Sequence, residues 1–461
     1  MKNIPYYMGF YLLKIQEIRV DSQTVHRPRN KNLGLLELIA IALGGMVGGG
    51  IFTILGISVA MIGNLTPIAI LIGGLIASLA AYSYVKLGIY YKDEGATYSF
   101  YKFTYPDSKF AASAIGWLVI FGYISTLALY AYTFAAYVIS ATAYAENIWF
   151  RKGLAILVIA IFTLINIISV KGMGKIEDLM VYSKLIILTF ISIILIQHGQ
   201  TDMGTFFQNV TKDAQDISIT NILIIASITF VAYEGFQLVI NAVNEMEQPE
   251  RNIPRAIYSA IGLAILIYVI IAVGALFAIP VEDIVENQEF ALAAGAGDAL
   301  GSLGTNLVIL GAVLATSSAI SGTLFGASRQ MAVVAKDGYF PQILSHRKKT
   351  VPINAIIAMA IISSILILLG GLKLILEFGS ITFLLVSVLM AVANFKIRKK
   401  TKSSTTLTLL SIIGLLMGGV LILYYEFTTN LDQMLYIIAL YILLSLLAWI
   451  FSKIKSTSKI S

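Results

Sequence analysis

Apolar residues run through this chain in long blocks, each bounded by short polar or charged stretches. Twelve blocks are long enough to count as candidate bilayer crossings: 35–61, 67–89, 111–141, 153–170, 178–198, 219–244, 255–279, 305–335, 353–369, 374–394, 406–424 and 433–452. A bilayer core needs roughly 20 apolar residues in helical conformation, and lipid tolerates only backbone whose polar groups are satisfied within the segment. The pattern therefore predicts an all-α polytopic membrane protein with 12 transmembrane helices. Before residue 33 only Tyr6–Leu13 is apolar, too short to span, so residues 1–32 are expected to form a basic tail.

Two blocks are interrupted from within. In the first, Gly44-Gly45-Met46-Val47-Gly48-Gly49-Gly50 places five glycines in seven positions, and each interior Gly costs a helix about 1 kcal/mol relative to Ala. In the sixth, Phe230-Val231-Ala232-Tyr233-Glu234-Gly235-Phe236 sets a carboxylate beside a glycine. An unwound segment frees N–H groups at one half-helix end and C=O groups at the other, which attract anions and cations respectively. A zwitterion carries both charges. The first and sixth blocks each open a set of five, and because five is odd the second set enters from the opposite face. Paired broken helices in two inverted halves point to a secondary transporter site. Close helix packing through small residues is the competing reading of each glycine cluster.

Charge sorts the connecting segments. With the N-terminus inside, 27 of the 32 Lys and Arg fall on inside segments, four (Arg151, Lys152, Lys212, Lys373) fall outside, and Lys184 lies within a span. The positive-inside rule then puts both termini in the cytoplasm, and the net charge of +7 follows without nucleic acid as a partner. The expected organisation is a cytoplasmic tail (1–32), a first repeat (33–198), an extracellular loop (199–218), a second repeat (219–394), two further helices (395–452) and a cytoplasmic tail (453–461). Charged residues make up 12% of the chain, against about 25% in soluble domains. Cysteine is absent and three His stand apart, so the sequence calls for no metal, cofactor or catalytic cluster, and no enzyme is expected. It leaves the oligomeric state open.

Glu234 lies 15 residues after Ile219, too deep to reach water by extending along the helix; it is either a functional carboxyl or one held by unwound backbone. Lys184 is six residues past Asp178, about 9 Å along the helix. It either extends to the interface or works inside the membrane.

Four motifs give the chain a family likeness. Gly48-Gly49-Gly50-Ile51-Phe52 is similar to a G-x-G-I-F break. Residues 245–257, Glu245-Met246-Glu247-Gln248-Pro249-Glu250-Arg251-Asn252-Ile253-Pro254-Arg255-Ala256-Ile257, resemble an acidic-then-P-x-R-N-I-P-R-A-I loop. Ser328-Arg329 with Ala335-Lys336-Asp337-Gly338-Tyr339-Phe340-Pro341 resembles S-R…A-R-D-G-x-x-P, and Val351-Pro352-Ile353-Asn354-Ala355 continues it. In this order they resemble the amino acid–polyamine–organocation (APC) superfamily of transporters. The stretch Asp93–Phe100 departs from that family's P-x-x-G-G-x-Y-x-Y. The resemblance implies a leucine-transporter-like fold with a five-plus-five inverted repeat, and an amino acid permease of the plasma membrane. It implies that the substrate carboxylate meets N–H groups of Gly49, Gly50 and Ile51. The ammonium would meet carbonyls of Met46, Val47, Val231, Ala232 and Glu234, with Tyr123, Tyr130 and Tyr132 as candidates for side-chain selectivity. It further implies that the Lys184 ammonium sits where sodium sits in sodium-coupled cousins, beside Gly44, with hydroxyls such as Ser317 and Ser321 in reach. Proton-coupled symport is the expectation; exchange, sodium coupling and, more distantly, a channel are the alternatives.

Overall fold

A computed structural model describes residues 33–457 apart from 169, 198, 200 and 349–350. The expected N-terminal tail lies outside the described residues, as does the end of the C-terminal one. Among the described residues the secondary structure is helical, with two isolated bridges, Leu33 to Met246 and Lys348 to Val351.

The first apolar block forms two helices, α1 (Leu35–Met46) and α2 (Gly50–Ile62). Then follow α3 (Thr66–Tyr91), α4 (Ala96–Thr104), α5 (Lys109–Ile139), α6 (Ile148–Ile168), α7 (Val170–Gln197), α8 (Met203–Asp216) and α9 (Ile219–Thr229). A 3₁₀ turn over Phe230–Tyr233 leads to the one-turn α10 (Leu238–Asn241). The remainder comprises α11 (Pro249–Ala278), α12 (Val281–Glu286), α13 (Ala291–Lys336), α14 (Ile353–Leu369), α15 (Leu372–Lys396), α16 (Arg398–Thr401), α17 (Thr405–Thr429) and α18 (Leu431–Thr457). Among the described residues ten helical stretches are long and apolar enough to cross a bilayer, counting Gly50–Tyr91 as one; Leu35–Met46 and Ile353–Leu369 are apolar but shorter.

Among the described residues each apolar block is largely helical apart from the two interruptions, and the other differences lie between blocks. The connection expected at 171–177 is helical and opens α7. The loop expected at 199–218 contains α8, whose start is fixed by Asp202, its carboxylate accepting from the N–H groups of Gly204 and Thr205. Such side-chain caps satisfy N–H groups that a helix start leaves without partners. Ser108, Ser218 and Ser404 cap α5, α9 and α17 in the same way. The eighth block extends back through a kink at Gly301, where φ is +65°.

Burial grades from centre to edge. The most apolar stretches of α5, of α9 through α10 and of α15 are 83% buried, whereas that of α18 is 17% buried. On α17 and α18, Leu416, Val420, Phe427, Ile442 and Trp449 face outward, as suits surfaces covered by lipid. A cavity of about 610 Å³ opens between α15, α17 and α18, lined by residues such as Leu384, Leu415, Val420 and Ile442. It offers nothing to a charged ligand and lies away from both interruptions of the helices.

Candidate functional site

The two interruptions meet at the centre. After Met46 the chain leaves helical geometry at Val47 (φ −81°, ψ 75°), and α2 restarts at Gly50 with no side-chain cap. Thr53 N–H to the Gly49 carbonyl is the first bond of the restart, so among the described residues the N–H groups of Gly49, Gly50 and Ile51 have no backbone acceptor. In the second interruption Glu234 is extended and Gly235 takes φ +128°, a conformation that side chains disfavour. The main chains cross here: a Cβ on Gly235 would lie 2.5 Å from the Gly45 carbonyl carbon. A Cβ on Gly50 would lie 2.9 Å from the Ala232 Cα, one on Gly49 2.8 Å from Thr133 Oγ1, and one on Gly48 2.7 Å from the Ala319 Cβ. The glycines thus let three helices close on the breaks in this conformation.

Between the crossing chains lies a cavity of about 10 Å³ lined by Gly45, Tyr123, Thr126, Tyr130, Glu234, Gly235, Leu238, Thr323 and Phe383. That is room for about one water, so any larger ligand requires the helices to part. The cavity is polar on one wall. Gln237 Nε2 donates to Glu234 Oε2 at 2.6 Å and contacts the Tyr123 hydroxyl at 3.2 Å. Gln237 Oε1 accepts from Gly235 N–H. Glu234 Oε1 is buried without a hydrogen-bond partner. Tyr130 donates to the Gly45 carbonyl at 3.1 Å. Of the three tyrosines singled out on α5, Tyr123 and Tyr130 therefore line this cavity, whereas Tyr132 packs beneath the Arg151 guanidinium.

Two expected cation-binding carbonyls are joined by a residue that the sequence did not single out. The hydroxyl of Tyr268, on α11, lies 2.8 Å from the Met46 carbonyl and 3.0 Å from the Ala232 carbonyl. Met46, Val47, Ile51, Val231, Ala232 and Glu234 are all buried. A tyrosine inside an apolar block gives no sequence signal of such a role.

Lys184 projects from α7 into the first interruption and is fully buried. Its Nζ donates to the Gly44 carbonyl (3.1 Å), the Val47 carbonyl (2.5 Å) and Ser318 Oγ on α13 (2.8 Å). The ammonium thus joins three helical elements through charge-assisted bonds, the stronger class. Gly44, expected beside Lys184 by resemblance, is one of its acceptors in this conformation. The hydroxyl that bonds Lys184 is that of Ser318, which stands beside Ser317 and Ser321 on α13, all three buried.

The motif segments bond to neighbouring elements. Leu33 N–H donates to the Glu245 carbonyl and the Leu33 carbonyl accepts from Glu247 N–H, each at 3.1 Å. Asp337 accepts from the Tyr98 hydroxyl (2.6 Å) and from Lys102 (2.5 Å), which ties α4 to the end of α13. Gln330 donates to the Gly95 carbonyl. Among the described residues no group of His, Cys, Asp and Glu is placed to hold a metal ion.

A family model described as amino acid permease matches residues 33–444. The chain is 28% identical over 411 residues to an uncharacterized protein of Methanocaldococcus jannaschii, covering 87% of this chain and 91% of that one. It is 26% identical over 433 residues to an inner membrane transport protein of Escherichia coli, covering 93% and 98%. It is also 26% identical over 374 residues to the large neutral amino acids transporter small subunit 2 of Oryctolagus cuniculus, covering 78% and 69%.

Proposed function

The chain belongs to the amino acid permease family, and on that premise we propose that it is a proton-coupled amino acid symporter of the plasma membrane, working by alternating access. In this reading α1 with α2 forms the first of twelve crossings. The elements from α1 to α7 and from α9 to α15 form two inverted repeats, with both termini cytoplasmic. The substrate carboxylate binds the N–H groups of Gly49, Gly50 and Ile51. Its ammonium binds the carbonyls around Met46, Val47, Val231, Ala232 and Glu234, and the Tyr268 hydroxyl gives way as it enters. Backbone groups recognise the charges that all amino acids share, while Tyr123, Tyr130 and Phe383 limit the side chain.

The observation that carries the coupling is the place of Lys184. Its ammonium fills a position bounded by two carbonyls of the first interruption and a hydroxyl of α13. Protonated, it holds α1 against α7 and α13. Neutral, it gives up most of that attraction and α1 is free to swing. The proton is then a ligand with different affinity for the closed and open states, which is the condition for coupling. Uptake by the purified protein in liposomes, against a panel of labelled amino acids with imposed pH or sodium gradients, tests this. Accumulation driven by an inward proton gradient and indifferent to sodium is expected. Counterflow without net accumulation under any gradient would make the protein an exchanger instead.

A further inference from the structure

Away from the crossing chains, three helix ends gather a charged cluster that the transport site does not use. Lys373 and Glu377 are a turn apart at the start of α15, Glu426 is near the end of α17, and Gln433 is at the start of α18. Glu377 and Glu426 are fully buried. Lys373 Nζ lies 3.7 Å from Glu377 Oε1 and 3.5 Å from Glu426 Oε1, an ion-pair spacing longer than a charge-assisted hydrogen bond. It sits over the Tyr425 ring and reaches that hydroxyl at 3.3 Å. Gln433 donates to Glu377 Oε2. Glu377 Oε1 and both oxygens of Glu426 receive no hydrogen bond, and the two carboxyl groups converge on the same ammonium.

Two carboxylates against one ammonium leave an excess negative charge in a place closed to water. An uncompensated buried charge is strongly unfavourable, so the cluster calls for one more positive charge. A bare metal cation would want about six oxygen ligands. The oxygens here are two carboxyls and one hydroxyl, and neither cavity described above extends to them. A proton needs no volume, and a carboxylic acid donating to a carboxylate satisfies oxygens on both partners. The groups facing the pair are Lys373 from the same helix, Tyr425 from α17 and Gln433 from α18.

We propose that Glu377 and Glu426 form a proton-binding site in which the two carboxyls share one proton, leaving the cluster with Lys373 electrically neutral. Lys373 is about one-third exposed, so this proton equilibrates with the aqueous side at the Lys373 end of α15. Three residues beyond Glu377, Ser380 donates to the Ile228 carbonyl just before the second interruption. The site thus ties the helix that walls the central cavity to α17 and α18, and its occupancy follows the pH of one compartment. It holds whichever ion drives transport.

Infrared spectroscopy of the full-length protein, with isotope-labelled glutamate at neutral pH, reads protonated carboxyls directly. Glu377→Gln and Glu426→Gln are each expected to lose the same single-proton carbonyl band, because the remaining carboxylate then pairs with Lys373. The double variant should lose no more than either single variant. Lys373→Met should gain intensity, since without the ammonium both carboxyls must be protonated. If both single variants keep the full wild-type band, the site is wrong. An increase in the wild-type band on replacing sodium by choline would put a metal cation there and equally overturn it. Should one Gln variant fail to fold, the other and Lys373→Met carry the same test.

Discussion

Replacing Lys184 by Met keeps the stem and removes the ammonium. Three bonds go with it: to the Gly44 carbonyl, the Val47 carbonyl and Ser318 Oγ. Neither carbonyl has another backbone donor among the described residues, because both lie where α1 has run out of following N–H groups. Orphaning two buried carbonyls costs about 1–3 kcal/mol each, roughly 2–6 kcal/mol in all. Against this, the closed state no longer buries an ammonium, itself a penalty of several kcal/mol. The net loss for the closed state should be on the order of 1–3 kcal/mol, or about 5–150-fold in its population. The chain has no Cys, so Ala42→Cys, fully buried on α1, gives a unique reporter. Lys184→Met should raise its maleimide labelling rate by about that factor, and should abolish accumulation driven by an inward proton gradient while downhill uptake persists. Wild-type labelling together with wild-type proton-driven accumulation would refute the reasoning and leave Lys184 a packing residue.

Four further outcomes are expected. Gly50→Ala puts a methyl 2.9 Å from the Ala232 Cα, and overpacking of this kind costs typically about 1–3 kcal/mol; substrate affinity should fall at least several-fold, and equilibrium binding at the wild-type level would remove the close crossing from the mechanism. Tyr268→Phe leaves the Ala232 carbonyl without its donor, while Met46 keeps a bond from Gly48 N–H; release of bound substrate should quicken by about 5–150-fold in single-turnover efflux, and an unchanged rate would deny the hydroxyl a part in closure. Glu234→Gln keeps size and polarity at the carboxyl bonded by Gln237; a changed pH profile of uptake is expected, and an unchanged profile and substrate range would leave the residue a structural role. For sidedness, Lys399 and Lys212 are both exposed; in right-side-out vesicles an impermeant maleimide should label Lys212→Cys and spare Lys399→Cys, and the opposite pattern would invert the orientation.

Both interruptions were legible because they violate local rules: dense glycine in an apolar block, and a carboxylate beside a glycine deep within another. Helix rotation was not legible. In water an amphipathic stripe tells which face is buried, but lipid and protein interior are equally apolar, so a membrane helix carries little such pattern. The run Thr316-Ser317-Ser318-Ala319-Ile320-Ser321-Gly322 places hydroxyls on several faces of α13. Only packing against α7 brings Ser318 to Lys184 rather than singling out Ser317 and Ser321. Tyr268 escaped for the same reason, one tyrosine among 24, distinguished only by what faces it. Helix α8 was read as a loop because it is polar, although its Asp202 cap is a local signal that hydropathy alone ignores.

The pair of bonds at Leu33 has a mechanical consequence. Both are made by main-chain atoms, to Glu245 and Glu247 just beyond the second interruption, so no side-chain replacement other than proline deletes them. A swing of α1 must either drag this segment along or break both bonds in one step. The segment before the first broken helix and the one after the second then behave as a single lever rather than two latches. Such a lever has few intermediate positions, which suits a carrier that must never be open at both ends.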